Sequence, residues 1–305
     1  MKVICQMNLI GENMNKRILA IGMATIDYII TPSDEYSQLG GAVFYQTATL
    51  NQLKTPSISI ISIGKDDEKL LKDLENTVVI PTEKTMKYSN IYDKNLKRRQ
   101  KATLPQNTIL PSDISISLEN INSVLLSPLS PTDIPPQTIT FFKERGIRTI
   151  LSAQGYLRKT DDDRNIIDRK WKNIELYLKD TDILFLDENE AKKSFNINRI
   201  TDETVHKIVR KYELEQIIIT KAEKGSTIYT KNQRYSIPAI KTEKEIDATG
   251  LGDTYIAAYI SKLEECNDIY LAGMFASITA KEKLECIGPL KTNKEKIERE
   301  LDKYR

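Results

Sequence analysis

The chain has 305 residues, which is enough for one large α/β domain or two ordinary ones with a sizeable core. Its 45 Lys and Arg residues nearly balance its 43 Asp and Glu residues, so the sequence lacks the charge signature of a nucleic-acid-binding or membrane-surface protein. Three cysteines at scattered spacings and the single His206 provide neither a disulfide framework nor a multi-histidine metal centre, and we expect a cytoplasmic protein.

Residues 1–15 are interpreted as an N-terminal extension. Their short apolar run is interrupted by Gln6 and Asn8, whereas a signal peptide needs a longer unbroken apolar core. No apolar run in the sequence approaches the length of a membrane span, so we expect a soluble protein.

From residue 16 onward, short apolar runs alternate with segments of helical character. The runs are rich in Ile and Leu and too short for helices, which is typical of strands buried on both faces. They are 17–22, 58–63, 124–127, 149–152, 183–186 and 217–220. Between them we predict a helix from 135 to about 146, and another that follows 161–163 and runs through Trp171 to Leu178. This alternation predicts a mostly parallel sheet covered by helices.

Two segments depart from this pattern. Residues 27–39 and 88–104 lack helical periodicity and mix β-forming residues with turn residues and charges. They are interpreted either as strands of a small flap outside the main sheet or as ordinary surface hairpins, and the pattern does not decide between the two.

The segment 247–255, DATGLGDTY, carries the clearest chemical signal. It opens a helix whose apolar face is formed by Ile256, Tyr259, Ile260 and Leu263. Two glycines at a helix start let the backbone approach a ligand and point its amides outward, and the helix dipole adds positive potential. The segment therefore predicts a phosphate or oxyanion site.

Asp253 within this segment has two interpretations. As a first-turn acid it would only complement the helix dipole. As a functional group it would accept the proton of an attacking hydroxyl while the amides hold a phosphoryl group, since phosphoryl transfer depends mostly on positioning and charge neutralisation. We expect the dipole to lower the pKa of Asp253, which would make it ionised at neutral pH but a weak base.

A family resemblance favours the functional interpretation. Residues 247–253 resemble the D-T-x-G-A-G-D segment of the ribokinase family, also called pfkB-type carbohydrate kinases. The paired Gly40 and Gly41 before a helix over 42–53, the strand and turn at 61–67, and the T-x-G-x-x-G-like loop at 220–225 are similar to other motifs of this family and follow in its order. The resemblance covers about residues 16–290. It implies one domain over 16–305 with a doubly wound, mostly parallel sheet flanked by helices, and a small β lid.

The resemblance also implies the roles of the transfer residues. Asp253 would be the base, and the amides of Gly250, Leu251 and Gly252 would form the anion hole. ATP would be the donor, held by Thr220, Ala222 and Gly225 of the loop.

Metal roles follow from the same resemblance. Residues 187–190 are similar to the family's N-x-x-E, in which Glu190 would organise Mg2+ through water, and carboxylates suit this hard cation. Without the resemblance, Glu190 would be interpreted as a solvated acid at a helix start. Asp247 and Thr249 are candidates for holding a monovalent cation such as K+.

The acceptor side is assigned in the same way. Asp27 stands where the family carries a substrate-binding aspartate, and Gly40, Gly41 and Tyr45 lie at the following helix. Residues 152–158, SAQGYLR, resemble the D-x-Q-G-x-x-R stretch of an inositol-kinase-like subgroup, in which Gln154 and Arg158 suit a polyol or an anionic group. The alternative for Arg158 is a solvated residue at a strand end.

Four residues depart from the family pattern. Leu251 replaces an alanine of the anion hole, and Asp187 replaces the asparagine of N-x-x-E. Ala222 replaces a glycine, which is awkward if the position needs a positive φ. Tyr45 stands where sugar kinases often carry a substrate-binding asparagine.

From these features we expect an ATP-dependent kinase that phosphorylates a hydroxyl of a small sugar or polyol, acting as a monomer or homodimer. Two alternatives remain: a nucleoside kinase, and a non-catalytic member that binds a ligand or partner. A dinucleotide-binding dehydrogenase is disfavoured because no G-x-G-x-x-G follows the first strand.

Overall fold

The computed structural model describes residues 16–94 and 98–304, so the proposed N-terminal extension lies outside the described residues. The strands are β1 Arg17–Met23, β2 Thr25–Ile30, β3 Glu35–Gly40, β4 Ser57–Gly64, β5 Thr77–Thr82, β6 Met86–Tyr92, β7 Arg98–Thr103, β8 Ile121–Ser127, β9 Arg148–Ser152, β10 Arg158–Thr160, β11 Ile166–Asp168, β12 Ile183–Asp187, β13 Gln216–Thr220, β14 Ser226–Tyr229 and β15 Arg234–Ile237. The α-helices are α1 Ala42–Gln52, α2 Pro136–Lys143, α3 Ile174–Leu178, α4 Glu188–Phe195, α5 Asp202–Lys211, α6 Leu251–Cys266, α7 Ile269–Leu284 and α8 Lys294–Leu301.

The large sheet has the strand order β15-β14-β13-β12-β9-β8-β1-β4-β5 within the described residues. Its seven strands from β13 to β5 are parallel, and β14 and β15 extend it in antiparallel fashion. All six runs that were predicted as buried strands lie in this sheet, and the predicted α/β class is confirmed.

Helices cover both faces of the large sheet. In β1, Leu19 and Ile21 contribute to one buried apolar cluster, whereas Ile18 and Ala20 contribute to the other. The first cluster includes residues of α2, α4 and α5, and the second includes residues of α1, α6, α7 and α8. A strand buried on both faces must be apolar along its whole length, which explains the continuous apolar runs.

A separate four-stranded sheet has the order β3-β2-β6-β7. It consists of two excursions of the chain, one between β1 and α1 and one between β5 and β8. These excursions contain the two segments that lack helical periodicity. The central pair, β2 and β6, is parallel and places Asp27 beside Tyr88.

The helix expected after residues 161–163 is shorter than predicted. Residues Arg158–Thr160 and Ile166–Asp168 pair as an antiparallel hairpin, and the helix occupies only Ile174–Leu178. Asp161 stabilises the hairpin turn by accepting the backbone amide of Asn165 at 2.7 Å. Among the described residues, no helix combines the length and apolarity that crossing a bilayer requires.

Candidate active site

Several of the predicted site residues follow the carboxyl ends of strands at one edge of the large sheet. Strands β1, β9, β12 and β13 are parallel, so their carboxyl ends share this edge. Gln154 follows β9 and Glu190 follows β12, while Thr220 ends β13 opposite Asp187. Ligands of open α/β sheets bind outside the carboxyl ends of the strands, so this edge is the expected place for a site.

The start of α6 has the geometry of an anion site. Gly250 caps the helix with a φ of +72°, a left-handed conformation that favours glycine. The amide of Leu251, which was assigned to the anion hole, instead donates to the Ala248 carbonyl at 3.3 Å because the Gly250 turn brings that carbonyl back toward the helix. Among the described residues no carbonyl pairs with the amides of Gly250, Gly252 and Asp253, so these three can bind an anion.

Asp253 lies in the first turn of α6 and is half-buried. Burial and the charge of Glu190 raise the pKa of Asp253 to about 7, although the charge of Arg158 opposes them. The expectation of a lowered pKa was therefore wrong. Loss of hydration is the largest cause of this shift, and it makes Asp253 a stronger base than the sequence suggested.

Asp187 and Glu190 form a reciprocal capping box at the start of α4. The Asp187 carboxylate accepts the Glu190 amide at 2.8 Å, and the Glu190 carboxylate accepts the Asp187 amide at 2.9 Å. The aspartate in place of the family's asparagine thus has a structural role. Burial and Asp187 raise the pKa of Glu190, against the hydrogen bonds that it accepts from the Asp187 amide and the Gln154 side chain.

Gln154 and Arg158 lie near the carboxylates of Glu190 and Asp253. Gln154 hydrogen-bonds Glu190, and the charge of Arg158 acts on both Glu190 and Asp253. Gly155 permits the approach of this segment to the preceding loop, because a Cβ there would lie 2.4 Å from the Pro128 carbonyl oxygen. The Q-G-x-x-R segment therefore reaches the same site as the G-x-G-D turn, although 91 residues separate the two motifs in the chain.

Asp27 lies on the small sheet and faces the paired glycines. It is 7% exposed and accepts a hydrogen bond from Thr25 Oγ1 at 2.7 Å. A Cβ on Gly40 would lie 2.5 Å from Asp27 Oδ2, so this carboxylate requires glycine at position 40. Gly41 has a φ of +99° and is the residue from which α1 begins.

Tyr45 is buried under the anion site rather than open to a ligand. It is 2% exposed, and a Cβ on Gly250 would lie 2.2 Å from its ring. Its hydroxyl is buried and has no hydrogen-bond partner among the described residues. Burial and the charges of Asp247, Asp27 and Asp253 all raise the pKa of Tyr45. The ring thus supports the Gly250 turn, in contrast to the expected direct substrate contact.

The loop after β13 brings Thr220, Ala222 and Gly225 together beside the sheet edge. Ala222 has a φ of +48°, so a residue with a Cβ occupies the left-handed conformation for which the family pattern has glycine. Gly225 has a φ of +82°, and a Cβ there would lie 2.1 Å from the Ile237 carbonyl oxygen. The loop is closed by a hydrogen bond from the Lys221 amide to the Gly225 carbonyl at 2.7 Å.

Asp247 and Thr249 organise the turn before α6. Asp247 Oδ1 accepts the Thr249 amide at 2.9 Å, and Asp247 Oδ2 accepts the Gly288 amide at 3.0 Å. Lys283 of α7 is a third member, which was not predicted; it is fully buried, with its Nζ 3.1 Å from Asp247 Oδ2. Lys283 belongs to the charged end of a mostly apolar helix, where a lysine is usually exposed, so no sequence signal indicated its burial.

Tyr88 of β6 was also missed. It is buried, and the charges of Arg158 and Asp27 both act on it, so the small sheet approaches the Q-G-x-x-R segment at this residue. A tyrosine in an alternating strand is not distinguishable from ordinary packing, so its position could be found only from the fold.

The carboxylates of Glu190 and Asp253 suit a divalent cation that keeps most of its water ligands better than one enclosed by protein ligands. Residues 16–94 and 98–304 contain no group of three or more His, Cys, Asp or Glu side chains arranged to hold a metal. Mg2+ usually keeps several waters and uses only one or two protein carboxylates, and Glu190 and Asp253 provide two, both near the charge of Arg158.

Sequence comparison supports the family resemblance. The family model described as pfkB family carbohydrate kinase matches residues 146–296, about half of the chain. A nucleoside kinase of Methanocaldococcus jannaschii is 33% identical over 129 residues, which are 41% of this chain and 40% of that relative. The chain therefore matches less than half the length of this curated relative.

Structure comparison extends over nearly the whole chain. A pyrophosphate-dependent kinase in the ribokinase family, complexed with a pyrophosphate analog and myo-inositol, superposes with a TM-score of 0.77 at 22% identity, covering 92% of this chain and 99% of that one. Ribokinase of Arabidopsis thaliana, complexed with ribose and ATP, gives a TM-score of 0.76 at 18% identity, covering 94% and 98%. At sequence identities this low, the structural superpositions show only that the fold is shared. The family match comes from the sequence comparison. Residues 146–296 therefore belong to the pfkB family of carbohydrate kinases, and the chain has the fold of the ribokinase structures.

Proposed function

We propose that the protein transfers the γ-phosphoryl group of ATP to a hydroxyl of a small sugar or polyol. The observation that supports this most is the position of Asp253, a carboxylate with a pKa of about 7 beside the free amides of Gly250 and Gly252. A base and an anion site at the same helix start are what transfer to an alcohol requires.

Each side of the site then has a role. Asp27 would hold a hydroxyl of the acceptor, and Asp253 would orient the attacking hydroxyl and take its proton as the new O–P bond forms. The amides of Gly250 and Gly252 would stabilise the charge on the phosphoryl oxygens. Tyr45 would keep these amides in place by packing against Gly250.

The donor would lie along the loop that contains Thr220, Ala222 and Gly225. Mg2+, when bound, neutralises charge on the donor phosphates, and Glu190 would hold it through water. The small sheet would act as a lid that covers the acceptor and excludes water from the site. Gln154 and Arg158 would contact a polar or anionic group of the acceptor.

Other acceptors and donors have specific support. The 33% sequence identity to a nucleoside kinase over 129 residues favours nucleosides as alternative acceptors. The similarity to a pyrophosphate-dependent kinase makes pyrophosphate an alternative donor. A non-catalytic, ligand-binding role is the second candidate function, because Ala222 and Asp187 depart from the family pattern.

An activity screen tests the proposal. Purified protein is assayed with ATP or pyrophosphate against sugars, inositols and nucleosides, and release of ADP or phosphate is measured beside Asp253→Asn. Turnover with one acceptor class that falls by about 1,000-fold or more in Asp253→Asn supports the kinase. Saturable binding of donor or acceptor by the wild type without turnover would support the non-catalytic candidate and refute the proposal.

A further inference from the structure

The ammonium group of Lys283 lies beside the turn that precedes α6. Lys283 is 0% exposed, and its Nζ donates to the Asp247 carbonyl oxygen at 2.6 Å. The same Nζ lies 3.1 Å from Asp247 Oδ2. One positive charge therefore contacts both the backbone and the side chain of Asp247.

This contact occupies the position that a monovalent cation would need. A K+ held by Asp247 would bind its carboxylate and nearby carbonyl oxygens, and these are the atoms that Lys283 contacts. The Asp247 carboxylate also accepts the amides of Thr249 and Gly288, so its two oxygens are already engaged. The residues present therefore do not fit an additional K+.

The contact also connects α7 to the anion site. The amides of Ile246 and Asp247 both donate to the Leu284 carbonyl, at 2.9 and 3.2 Å, so the end of α7 holds the segment that leads into the turn. Three residues after Asp247, Gly250 adopts the left-handed conformation from which α6 starts. The position of the amides of Gly250 and Gly252 thus depends on Asp247.

We propose that the Lys283 ammonium is a built-in replacement for a monovalent cation, which holds Asp247 and the Gly250 turn and makes the protein independent of K+. Lys283 is a positioning residue, since it acts on the site through Asp247 and the turn. This inference rests on the proposed function for its kinetic consequence, but its structural consequence can be measured on the protein alone.

The test begins with the wild type in K+, Na+ and tetramethylammonium chloride at matched ionic strength. We expect the melting temperature to agree within about 1 °C between K+ and tetramethylammonium, because no site remains for the smaller ion. Where an acceptor is identified, kcat/KM is also expected to agree within about two-fold. A K+-specific rise in either quantity would overturn the proposal without any variant.

Variants at position 283 test the replacement directly. Lys283→Ala removes the charge and leaves space beside Asp247, and we expect a lower melting temperature, an at least ten-fold lower kcat, and partial rescue of both by K+ or methylammonium but not by tetramethylammonium. Lys283→Met fills the space, so it should show the same losses without rescue. Lys281→Met is the matched control, since Lys281 is on the same helix but pairs with Glu282 at 2.8 Å.

The outcomes separate the two proposals. If no acceptor is turned over but the melting experiments behave as expected, the inference about Lys283 stands and the proposed function fails. If turnover is found and requires K+ in the wild type, the proposed function stands and the inference fails. Lys283→Ala with an unchanged melting temperature and unchanged kcat would also refute the positioning role.

Discussion

The carboxylate of Glu190 lies close enough to Asp253 to add to the effect of burial on the Asp253 carboxylate. Burial, the larger cause, and the charge of Glu190 together raise the pKa of Asp253 to about 7. Glu190 in turn is fixed by its hydrogen bond to the Asp187 amide at 2.9 Å. The base of the proposed reaction is therefore tuned by a residue whose position is set by a helix cap, and this relationship leads to two predictions about pH.

The first prediction concerns the pH dependence of turnover. Asp253 must be ionised to accept a proton, so kcat/KM should rise with pH and reach half of its plateau near pH 7. Glu190→Gln keeps an acceptor for the Asp187 amide but removes the charge, which should lower the pKa of Asp253 and move the midpoint to lower pH. The midpoint is read from pH–rate profiles of the two proteins. An unmoved or higher midpoint in Glu190→Gln would contradict this coupling.

The second prediction concerns stability. A carboxyl group with a raised pKa in the folded state destabilises the protein above its unfolded pKa, and this cost grows with pH until the folded pKa is passed. Asp253→Asn should therefore be as stable as the wild type below about pH 4 and more stable at pH 7 to 8. Urea unfolding between these pH values measures the difference. The exposed Asp162→Asn is the control, for which no comparable trend is expected.

If Asp253→Asn is instead equally stable at all pH values, burial does not act on this carboxyl group as described. If Asp253→Asn gains stability and loses turnover, Asp253 serves catalysis although it lowers the stability of the folded protein.

The third prediction concerns Ala222 in the proposed donor loop. Its φ of +48° strains a residue with a Cβ by about 1 kcal/mol, and glycine removes this strain but adds unfolded-state entropy. Ala222→Gly should therefore leave the free energy of unfolding unchanged or raise it by up to about 1 kcal/mol. Ala280→Gly, in the interior of α7, should lower it by about 1 kcal/mol. Equal losses in the two variants would refute the strain at position 222.

The fourth prediction concerns the contact between Gly40 and Asp27. Gly40→Ala places a Cβ 2.5 Å from Asp27 Oδ2, so the carboxylate must move away from its present position. If Asp27 holds the acceptor, the KM of the acceptor should rise by about ten-fold or more while the KM of the donor stays unchanged, since one charged hydrogen bond is lost. Ser37→Ala, on the exposed part of the same strand, is the control. A rise in the donor KM alone would place Asp27 outside the acceptor site.

Local patterns were sufficient for much of the fold. The run Ile217–Ile218–Ile219 is uniformly apolar because it is covered on both faces, and such a run between helical segments has few alternatives to a parallel strand. The segment before Trp171 was misjudged because Asp161 stabilises a hairpin turn through its side chain, and this local bond competes with helix formation.

The site was only partly predictable. Asp253, Gly250 and Gly252 lie within one short motif, so the sequence alone indicates them. The raised pKa of Asp253 arises from burial and from Glu190, which is distant in the chain, and no local pattern contains that information. The role of Lys283 could not be predicted for a related reason. Its partner Asp247 is distant in the chain and is brought to it by the packing of α7 behind the turn.

The small sheet and the family match do not overlap. Strands β2, β3, β6 and β7 end at residue 103, whereas the pfkB family model matches residues 146–296. Under the proposed function, the groups that perform transfer belong to the matched portion, while Asp27 stands on the unmatched one. Exchanging the two excursions that carry the small sheet would then change the Asp27 side of the acceptor site, while the transfer residues and the acceptor contacts of Gln154 and Arg158 would stay in the matched portion.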